Sequence, residues 1–321
     1  MITTKQEILE HLTMPENEFK ATVMSEAKKV YARSGNRIII TAMLGYSNIC
    51  RNQCAYCGMR AENKKIRRYR LSLTDIKNTI EAAAASGFER LFLISGEDPD
   101  YRLDNLLEII VHGKKHGLFL SLAAGEMPYE YYDAFEDAGL DEYVLKFETT
   151  DRNLFGKIKP TGSFDGRMKC IEYIANSRMK LASGNITGLP GQSLDSIADD
   201  ILIMKELNIS WAPVVPYMPV PGTPLAQNNS RGSLEIILKE ISILRLMLPE
   251  VNITAQQPGE EIKNGFGDID GNLNALKAGA NMLFTDLLPV ALAGEFKVID
   301  NRNVEGIERI VELADLSAMK V

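Results

Sequence analysis

The sequence lacks any long apolar segment. The longest apolar run near its end, residues 287–293, contains Pro289 and is far too short to cross a bilayer. Residues 1–10 are polar and charged, without the apolar core of a signal peptide. We therefore expect a soluble, cytoplasmic protein that has no membrane partner.

Basic residues and cysteines are also scarce. The 321 residues include 36 Lys and Arg against 43 Asp and Glu, and a net charge of −7 offers no general basic surface for nucleic acid. Four cysteines do not make a disulfide framework; they suit a reducing compartment in which thiolates stay free to bind metal. A hydrophobic fraction of 45% is ordinary for a globular chain, which at this length forms one large barrel or two domains.

Three of the cysteines are clustered. Cys50, Cys54 and Cys57 are spaced C-x3-C-x2-C in a polar loop after an apolar run. Three thiolates can bind three irons of a four-iron cube and leave the fourth iron open to a small molecule. The alternatives are a structural zinc site and buried, unligated thiols. Zinc prefers four closed ligands, and the nearest further candidates, Cys170 and His11, are distant in sequence.

Apolar runs alternate with helical patterns through most of the chain. Eight strands alternating with helices predict a (β/α)8 barrel rather than an open doubly wound sheet, although six strands with irregular extensions remain an alternative. A helical extension is expected over residues 1–36, and the barrel with a C-terminal extension over 37–321. The predicted strands are 38–44, 91–94, 118–122, 143–147, 181–186, 211–215, 252–255 and 281–284, and the main predicted helices are 5–11, 16–34, 72–86, 103–116, 193–207 and 234–248.

Polar motifs follow several of these strands. In a parallel barrel they converge on the rim formed by the carboxyl ends of the strands, where such folds place their chemistry. The motifs are the cysteine loop, Ser95-Gly96-Glu97-Asp98, Glu148, and the turn at 187–191. A purely structural alternative for Ser95-Gly96-Glu97-Asp98 is a turn in which Asp98 or Asp104 caps the next helix.

Other charged residues have a functional and a bland interpretation. Arg167 is a candidate partner of Glu148 or of a carboxylate ligand, and otherwise a solvated helix residue. His112 and His116 stand four residues apart on a predicted helix, but no acidic residue accompanies them at metal-site spacing, which favours a solvated face. The basic run at 64–70 is expected to be a surface loop, and Cys170 a small buried apolar side chain.

The cysteine spacing, with the aromatic Tyr56 before the last cysteine, resembles the radical S-adenosylmethionine (SAM) superfamily. The resemblance implies that Cys50, Cys54 and Cys57 hold a 4Fe–4S cluster whose open iron binds SAM. It also implies that an electron from ferredoxin or flavodoxin cleaves SAM to a 5′-deoxyadenosyl radical, which acts on a small molecule or a small iron complex inside the barrel. The positions that match the family's SAM site are Tyr56, Ser95, Gly96, Glu97, Glu148, Arg167 and Leu189, with Ser95 replacing the first glycine of a GGE-like turn.

The resemblance extends to one branch of the superfamily, the HydE-like group of HydE, PylB and HmdB proteins. It is carried by the runs at 56–60, 68–72, 95–99, 188–192 and 222–226. It implies metallocofactor maturation of the hydrogenase type, with a PylB-like methylornithine synthase as the alternative. A non-catalytic iron–sulfur scaffold is a third possibility.

The predicted substrate pocket departs from both relatives. The sixth strand, at 211–216, carries no arginine where PylB proteins are expected to have one. Lys146 and Phe147 replace an Arg-His pair of HydE, and Gln256 and Gln257 stand where HydE has two threonines. Lys146, Gln256 and Gln257 are therefore the predicted substrate residues, and the substrate is expected to differ from that of HydE.

Overall fold

A parallel barrel of eight strands forms the centre of the protein in the computed structural model, which describes residues 2–33, 35, 37–227, 230–296 and 304–318. Its strands are β1 Ile39–Ser47, β2 Arg90–Ser95, β3 Phe119–Ala123, β4 Glu142–Val144, β5 Lys180–Ala182, β7 Trp211–Ala212, β9 Asn252–Ile253 and β10 Met282–Asp286. Around the barrel they follow the order β10-β1-β2-β3-β4-β5-β7-β9. A bridge between Thr254, just after β9, and Met282 in β10 connects the two ends of this order, so that the barrel is nearly closed. The predicted (β/α)8 class is confirmed.

Two of the predicted strands are interrupted. The strand predicted at 181–186 divides into β5 and β6 (Ile186–Thr187), and that at 211–215 into β7 and β8 (Val215–Pro216). Pro213 has no N–H to donate to a ladder, which explains the second break. β6 and β8 pair with each other as a short parallel sheet above the barrel, at the rim where the polar motifs lie.

Helices surround the barrel. They are α1 Lys5–Thr13, α2 Glu16–Phe19, α3 Ser25–Arg33, α4 Leu73–Ala85, α5 Leu103–Lys115, α6 Tyr129–Asp137, α7 Arg152–Ile158, α8 Phe164–Ala175, α9 Leu194–Glu206, α10 Leu234–Met247, α11 Ile269–Lys277, α12 Val290–Ala293 and α13 Val304–Ala318. Gly87, Gly117 and Gly139 follow α4, α5 and α6 with φ of 81°, 74° and 89°, the left-handed conformation in which glycine commonly ends a helix.

The N-terminal segment forms the predicted helices. A π-helical turn, Lys20–Met24, joins α2 to α3. The segment is fastened to the barrel helices because Lys239 on α10 donates to the carbonyls of Leu12 and Met14. The expected helix end at Ser34, and parts of the expected C-terminal extension, fall outside the described residues. The division at residue 37 stays a prediction.

Aromatic side chains fill the interior of the barrel. Phe92 on β2 lies 5.2 Å from Trp211 and 5.9 Å from Phe284, measured between ring centroids. Met43, Val144, Ala182 and Met282 complete this cluster. It forms a packed floor beneath the rim. Among the described residues no helix is both long and apolar enough to span a membrane.

Candidate functional site

The cysteine loop leaves the end of β1 and is held by arginines from the predicted basic run. Arg68 donates to the carbonyls of Asn48, Met59 and Arg60 at 2.6, 2.8 and 2.5 Å. The run at 64–70 is a loop with most of its charged residues exposed, as expected. Arg68 is the half-buried exception and satisfies backbone carbonyls that a long loop leaves without strand partners.

Asp98 does not cap a helix. Its side chain is fully buried and receives hydrogen bonds from Arg70 at 2.7 and 2.5 Å and from Ser47 at 2.6 Å. Burial alone would raise the pKa of Asp98, but these donors outweigh it and hold the pKa below its usual value. The pair ties the end of the cysteine loop to the turn after β2, so the capping interpretation is wrong for Asp98.

The three clustered thiols are free and near enough to influence one another electrostatically. The Asn52 N–H donates to Cys50 Sγ at 3.4 Å, and Lys159 Nζ donates to Cys54 Sγ at 3.5 Å. Burial, together with a smaller effect of the neighbouring Cys54, raises the pKa of Cys57 to about 12. Backbone and ammonium donors directed at sulfur are the environment that bound thiolates require.

The Ser95-Gly96-Glu97 turn lies directly against the cysteine loop. A Cβ at Gly96 would collide with the Ile49 carbonyl and come within 2.7 Å of Cys50 Cβ, so a side chain has no space there. The Arg51 N–H donates to the Glu97 carbonyl at 3.1 Å. The Glu97 carboxylate accepts from Arg51 Nε at 3.0 Å and from the Glu126 N–H at 3.1 Å.

Glu148 stands just beyond β4 in a strained conformation. Its φ of 69° is in the left-handed region, which a glutamate rarely adopts and which is often found at functional sites. Oε1 accepts from the Tyr56 hydroxyl at 2.9 Å, and Lys146 Nζ lies 3.6 Å from Oε2. Among the described residues Oε2 is buried without a hydrogen-bond partner. A ligand hydroxyl or ammonium is the kind of group that would satisfy it.

Arg167 is buried at the start of α8, so the solvated-helix interpretation is wrong. It does not bond Glu148 directly: Nε donates to Glu126 at 2.7 Å, and an Nη donates to the Lys146 carbonyl at 3.1 Å. Burial would lower the pKa of Arg167, but the carboxylates of Glu126 and Glu148 outweigh it and raise the pKa. Arg167 therefore stays charged inside the rim.

The turn after β6 presents Leu189 to the same region. Gln192 accepts from the N–H groups of Gly188 and Leu189 at 2.6 and 3.2 Å, and its amide donates to the buried Asp200 at 3.1 Å. Leu189 packs in a small apolar cluster that includes Tyr56 at its margin. A side-chain network behind the turn thus fixes its backbone.

A cavity of about 310 Å³ lies between the rim and the aromatic floor. Its wall includes Tyr56, Cys57, Ser95, Glu148 and Arg167 on one side. Lys146 and Gln256 also line it, whereas Gln257 does not, because its amide is bound to the carbonyls of Val214 and Thr254 at 2.9 and 3.1 Å. The rest of the lining is mainly apolar, including Met43, Phe92, Trp211, Val215 and Phe284.

Glu126 is a site residue that the sequence analysis missed. It follows β3 and reaches both Arg167 and the Glu97 turn. The rule that placed the other motifs, polar residues directly after a barrel strand, applies equally to Gly125-Glu126. Lys159, by contrast, lies between two helices, where the pattern gave no signal. Cys170 is only half-buried.

Comparisons with known proteins agree with this geometry. Residues 44–202 match the model of the radical SAM superfamily. The chain is 33% identical over 287 residues to the [FeFe] hydrogenase maturase subunit HydE of Thermotoga maritima, covering 89% of this chain and 81% of the relative. It is 30% identical over 299 residues to 3-methylornithine synthase of Methanosarcina acetivorans, covering 88% and 82%.

Solved structures show the same relationship. The crystal structure of methylornithine synthase (PylB) superposes with a TM-score of 0.84 at 28% identity, covering 98% of this chain and 96% of that one. The structure of the maturase HydG from Carboxydothermus hydrogenoformans gives a TM-score of 0.81 at 22% identity over 97% and 75% of the two chains, which supports the fold alone.

Proposed function

Because the chain belongs to the radical SAM superfamily, in the group of HydE and methylornithine synthase, we propose that Cys50, Cys54 and Cys57 hold its 4Fe–4S cluster. Enzymes of this superfamily use such a cluster with SAM. The residues present fit such a cluster. Three free thiols share one loop, and amide and ammonium donors face their sulfurs. Gly96, which has no side chain, lets the cysteine loop pack directly against the turn after β2. The cluster, when bound, supplies the electron that cleaves SAM to methionine and a 5′-deoxyadenosyl radical.

SAM is proposed to bind across the rim. Arg167 and Glu148 offer opposite charges there. Glu148 Oε2, which lies 3.6 Å from Lys146 Nζ and accepts no hydrogen bond from the described residues, is an acceptor for a SAM hydroxyl or ammonium. Glu97 and the Ser95-Gly96 backbone lie on the cysteine side. Leu189, which is 2% exposed and packs in the apolar cluster beside Tyr56, is proposed to support the adenine site from behind. The observation that carries this proposal is that the cysteine loop meets Glu148 through the Tyr56 hydroxyl, at the mouth of the cavity.

The substrate is proposed to be a small anionic molecule or small iron complex, as in metallocofactor maturation of the HydE type. Lys146 provides a cation next to Glu148 in a cavity that is otherwise mainly apolar. Burial lowers the pKa of Lys146, and the Glu148 carboxylate partly offsets that effect. An apolar wall excludes water, which protects a radical intermediate from quenching. Ferredoxin or flavodoxin is the proposed electron donor, in a reducing cytosol.

A PylB-like rearrangement of an amino acid is the second candidate. It is favoured by the structural similarity to methylornithine synthase over nearly the whole of both chains. The cavity wall formed by β7, β8 and their connection argues against this candidate. That wall consists of Trp211, Pro213, Val215 and Pro216, and it offers no arginine to bind the carboxylate of an amino-acid substrate.

Anaerobic reconstitution tests the proposal. The protein is loaded with iron and sulfide, reduced with dithionite in the presence of SAM, and assayed for 5′-deoxyadenosine by chromatography. We expect product from wild type and from Cys170→Ala, a cysteine outside the motif, and none from Cys54→Ala. A wild-type protein that holds a cluster but releases no 5′-deoxyadenosine, even with a stronger reductant, would indicate a scaffold.

Substrate candidates are separated by a second assay. Lys146→Met, assayed at saturating SAM, should abolish the substrate-dependent increase in 5′-deoxyadenosine formation. Iron–cysteine complexes and free lysine are the two substrates to compare. Stimulation by lysine alone would favour the PylB-like candidate.

A further inference from the structure

Lys159 occupies an unusual position for a lysine. It lies between α7 and α8 with only 5% of its surface exposed, and its Nζ is 3.5 Å from Cys54 Sγ, although the two residues are 105 positions apart. Among the described residues, no carboxylate lies within salt-bridge distance of it. A buried ammonium is costly without a compensating anion, and the sulfur of Cys54 is the nearest candidate.

Hydrogen bonds from the backbone of the cysteine loop hold the segment that carries Lys159 next to Cys54. The Ala55 N–H donates to the Ile158 carbonyl at 2.7 Å, and the Gln53 N–H donates to Thr161 Oγ1 at 3.2 Å. The segment that carries Lys159 is therefore fastened to the cysteine loop on both sides of Cys54. The contact between Nζ and Sγ belongs to a constrained junction and does not depend on a freely moving side chain.

We propose that Lys159 sets the reduction potential of the cluster, an inference that rests on the proposed cluster site. A cluster held by three thiolates gains one negative charge when it takes up one electron from a low-potential donor. A fixed ammonium beside one of its sulfurs stabilises the reduced form more than the oxidised form. No bond to Lys159 breaks and no proton leaves it. Lys159 is thus a positioning residue that makes the cluster easier to reduce.

A potentiometric titration of the reconstituted protein, followed by electron paramagnetic resonance, tests this role. Lys159→Met should make one-electron reduction at least tenfold less favourable, a decrease of about 59 mV in midpoint potential. Lys159→Arg should retain most of the wild-type potential. Lys157→Met, which removes an exposed lysine of the same segment, is the matched control and should show the wild-type midpoint potential.

Iron and sulfide content separates this proposal from the one on which it rests. Wild-type protein without a cluster would refute the cluster site itself. A Lys159→Met variant with full iron content and the wild-type potential would overturn the role of Lys159. So would weaker SAM binding at an unchanged potential, which would make the ammonium a SAM ligand. If Lys159→Met does not assemble, Lys159→Gln, which keeps a neutral donor, should show the same decrease.

A different observation carries a second inference, on the outer surface. The sequence offered no acidic partner for His112 and His116, but the fold brings Glu81 from α4 beside them on α5. His112 Nε2 lies 3.0 Å from Glu81 Oε1, the two imidazole centroids are 4.9 Å apart, and one ligand atom from each of the three residues lies within 4.8 Å of the others. Tetrahedral ligands about 2 Å from a zinc ion are separated by roughly 3.3 Å, so small side-chain rotations suffice.

We infer that Glu81, His112 and His116 form a binding site for a divalent metal of the Zn²⁺ type, with one position open to water. His116 lies at the C-terminal end of α5, where helix carbonyls favour a cation. The alternative is an ordinary surface ion pair between Glu81 and His112.

Equilibrium dialysis of cluster-loaded protein against Zn²⁺ tests this site, because the cluster occupies the competing thiols. We expect one more bound equivalent in wild type than in a His112→Gln/His116→Gln variant, and wild-type binding by His11→Gln, the remaining histidine of the chain. Equal Zn²⁺ stoichiometry in wild type and the double variant would refute the site.

Discussion

The hydroxyl of Tyr56 donates to the carboxylate of Glu148 at 2.9 Å, although 92 residues separate the two in sequence. Tyr56 lies between two cysteines of the motif, and Glu148 follows β4 across the barrel. This bond connects the loop proposed to hold the cluster with the side of the rim proposed to hold SAM. The position of SAM relative to the cluster therefore depends on a contact that can be removed selectively.

Tyr56→Phe should weaken SAM binding while leaving the cluster intact. The ring keeps its packing, but Glu148 loses its buried donor, and hydrogen bonds to charged groups contribute about 1.5–3 kcal/mol. We expect the dissociation constant for SAM to rise about tenfold or more at unchanged iron content, measured by equilibrium binding to reconstituted protein. An unchanged dissociation constant would show that the Tyr56 hydroxyl does not orient Glu148 toward SAM.

Arg167→Gln should have a similar but larger effect on SAM. It removes the buried cation that faces Glu126 and Glu148, and it removes bidentate geometry for a carboxylate. We expect SAM affinity to fall by one to two orders of magnitude, with 5′-deoxyadenosine formation partly recovered at saturating SAM. Arg152→Gln, an exposed arginine paired with Asp165, is the control. Normal SAM cleavage by Arg167→Gln at limiting SAM would contradict the assignment.

The sequence predicts that its polar motifs converge because they follow parallel strands, whose carboxyl ends meet at one rim. The structure brings the cysteine loop, Ser95-Gly96-Glu97 and Glu148 together at that rim, and their roles stay a proposal. For Arg167 the sequence suggests Glu148 or a carboxylate ligand as the partner, whereas the structure pairs it with Glu126. Such a pairing depends on side-chain positions in three dimensions, which a strand-end pattern does not encode. The pattern also could not reveal the contact between Lys159 and Cys54, since a loop between helices has no periodicity.

Asp98→Ala should destabilise the fold itself. Asp98 is fully buried, whereas Arg70 is 32% exposed, so Asp98→Ala leaves no buried unpaired charge but removes the charged acceptor of the Arg70 and Ser47 hydrogen bonds. Hydrogen bonds to charged groups contribute about 1.5–3 kcal/mol. We expect a decrease of that order in the free energy of unfolding, measured by chemical denaturation under anaerobic conditions. Asp100→Asn removes the exposed acidic partner of the same arginine. Asp100→Asn should lower the free energy of unfolding by less than about 1 kcal/mol. Equal decreases for Asp98→Ala and Asp100→Asn would show that the burial of Asp98 adds nothing to the stability of its ion pair with Arg70.

Glu240→Gln should change how stability depends on pH. Glu240 is fully buried on α10 and accepts from the Thr187 hydroxyl at 2.5 Å, and burial raises its pKa to about 8. The ordinary pKa of a glutamate is near 4.5. Between these values the folded protein binds more protons than the unfolded chain. The stability contributed by this group is therefore complete below pH 4.5 and is lost as pH rises through about 8.

Ionisation of Glu240 lowers the free energy of unfolding by at most about 1.4 kcal/mol per pH unit. Burial also raises the pKa of Asp200 to about 6. Asp200 therefore causes a separate decrease in the free energy of unfolding, which is complete at a lower pH than the decrease caused by Glu240. Glu240→Gln keeps an acceptor for Thr187 but cannot ionise. In denaturation curves measured from pH 6 to 9, we expect the variant to lose most of the wild-type decline and to be more stable than wild type at pH 9. Glu206→Gln, an exposed residue at the end of α9, should follow wild type. Parallel pH profiles for wild type and Glu240→Gln would mean that Glu240 is already ionised in the folded protein at neutral pH, with Lys146 as the cation that stabilises it.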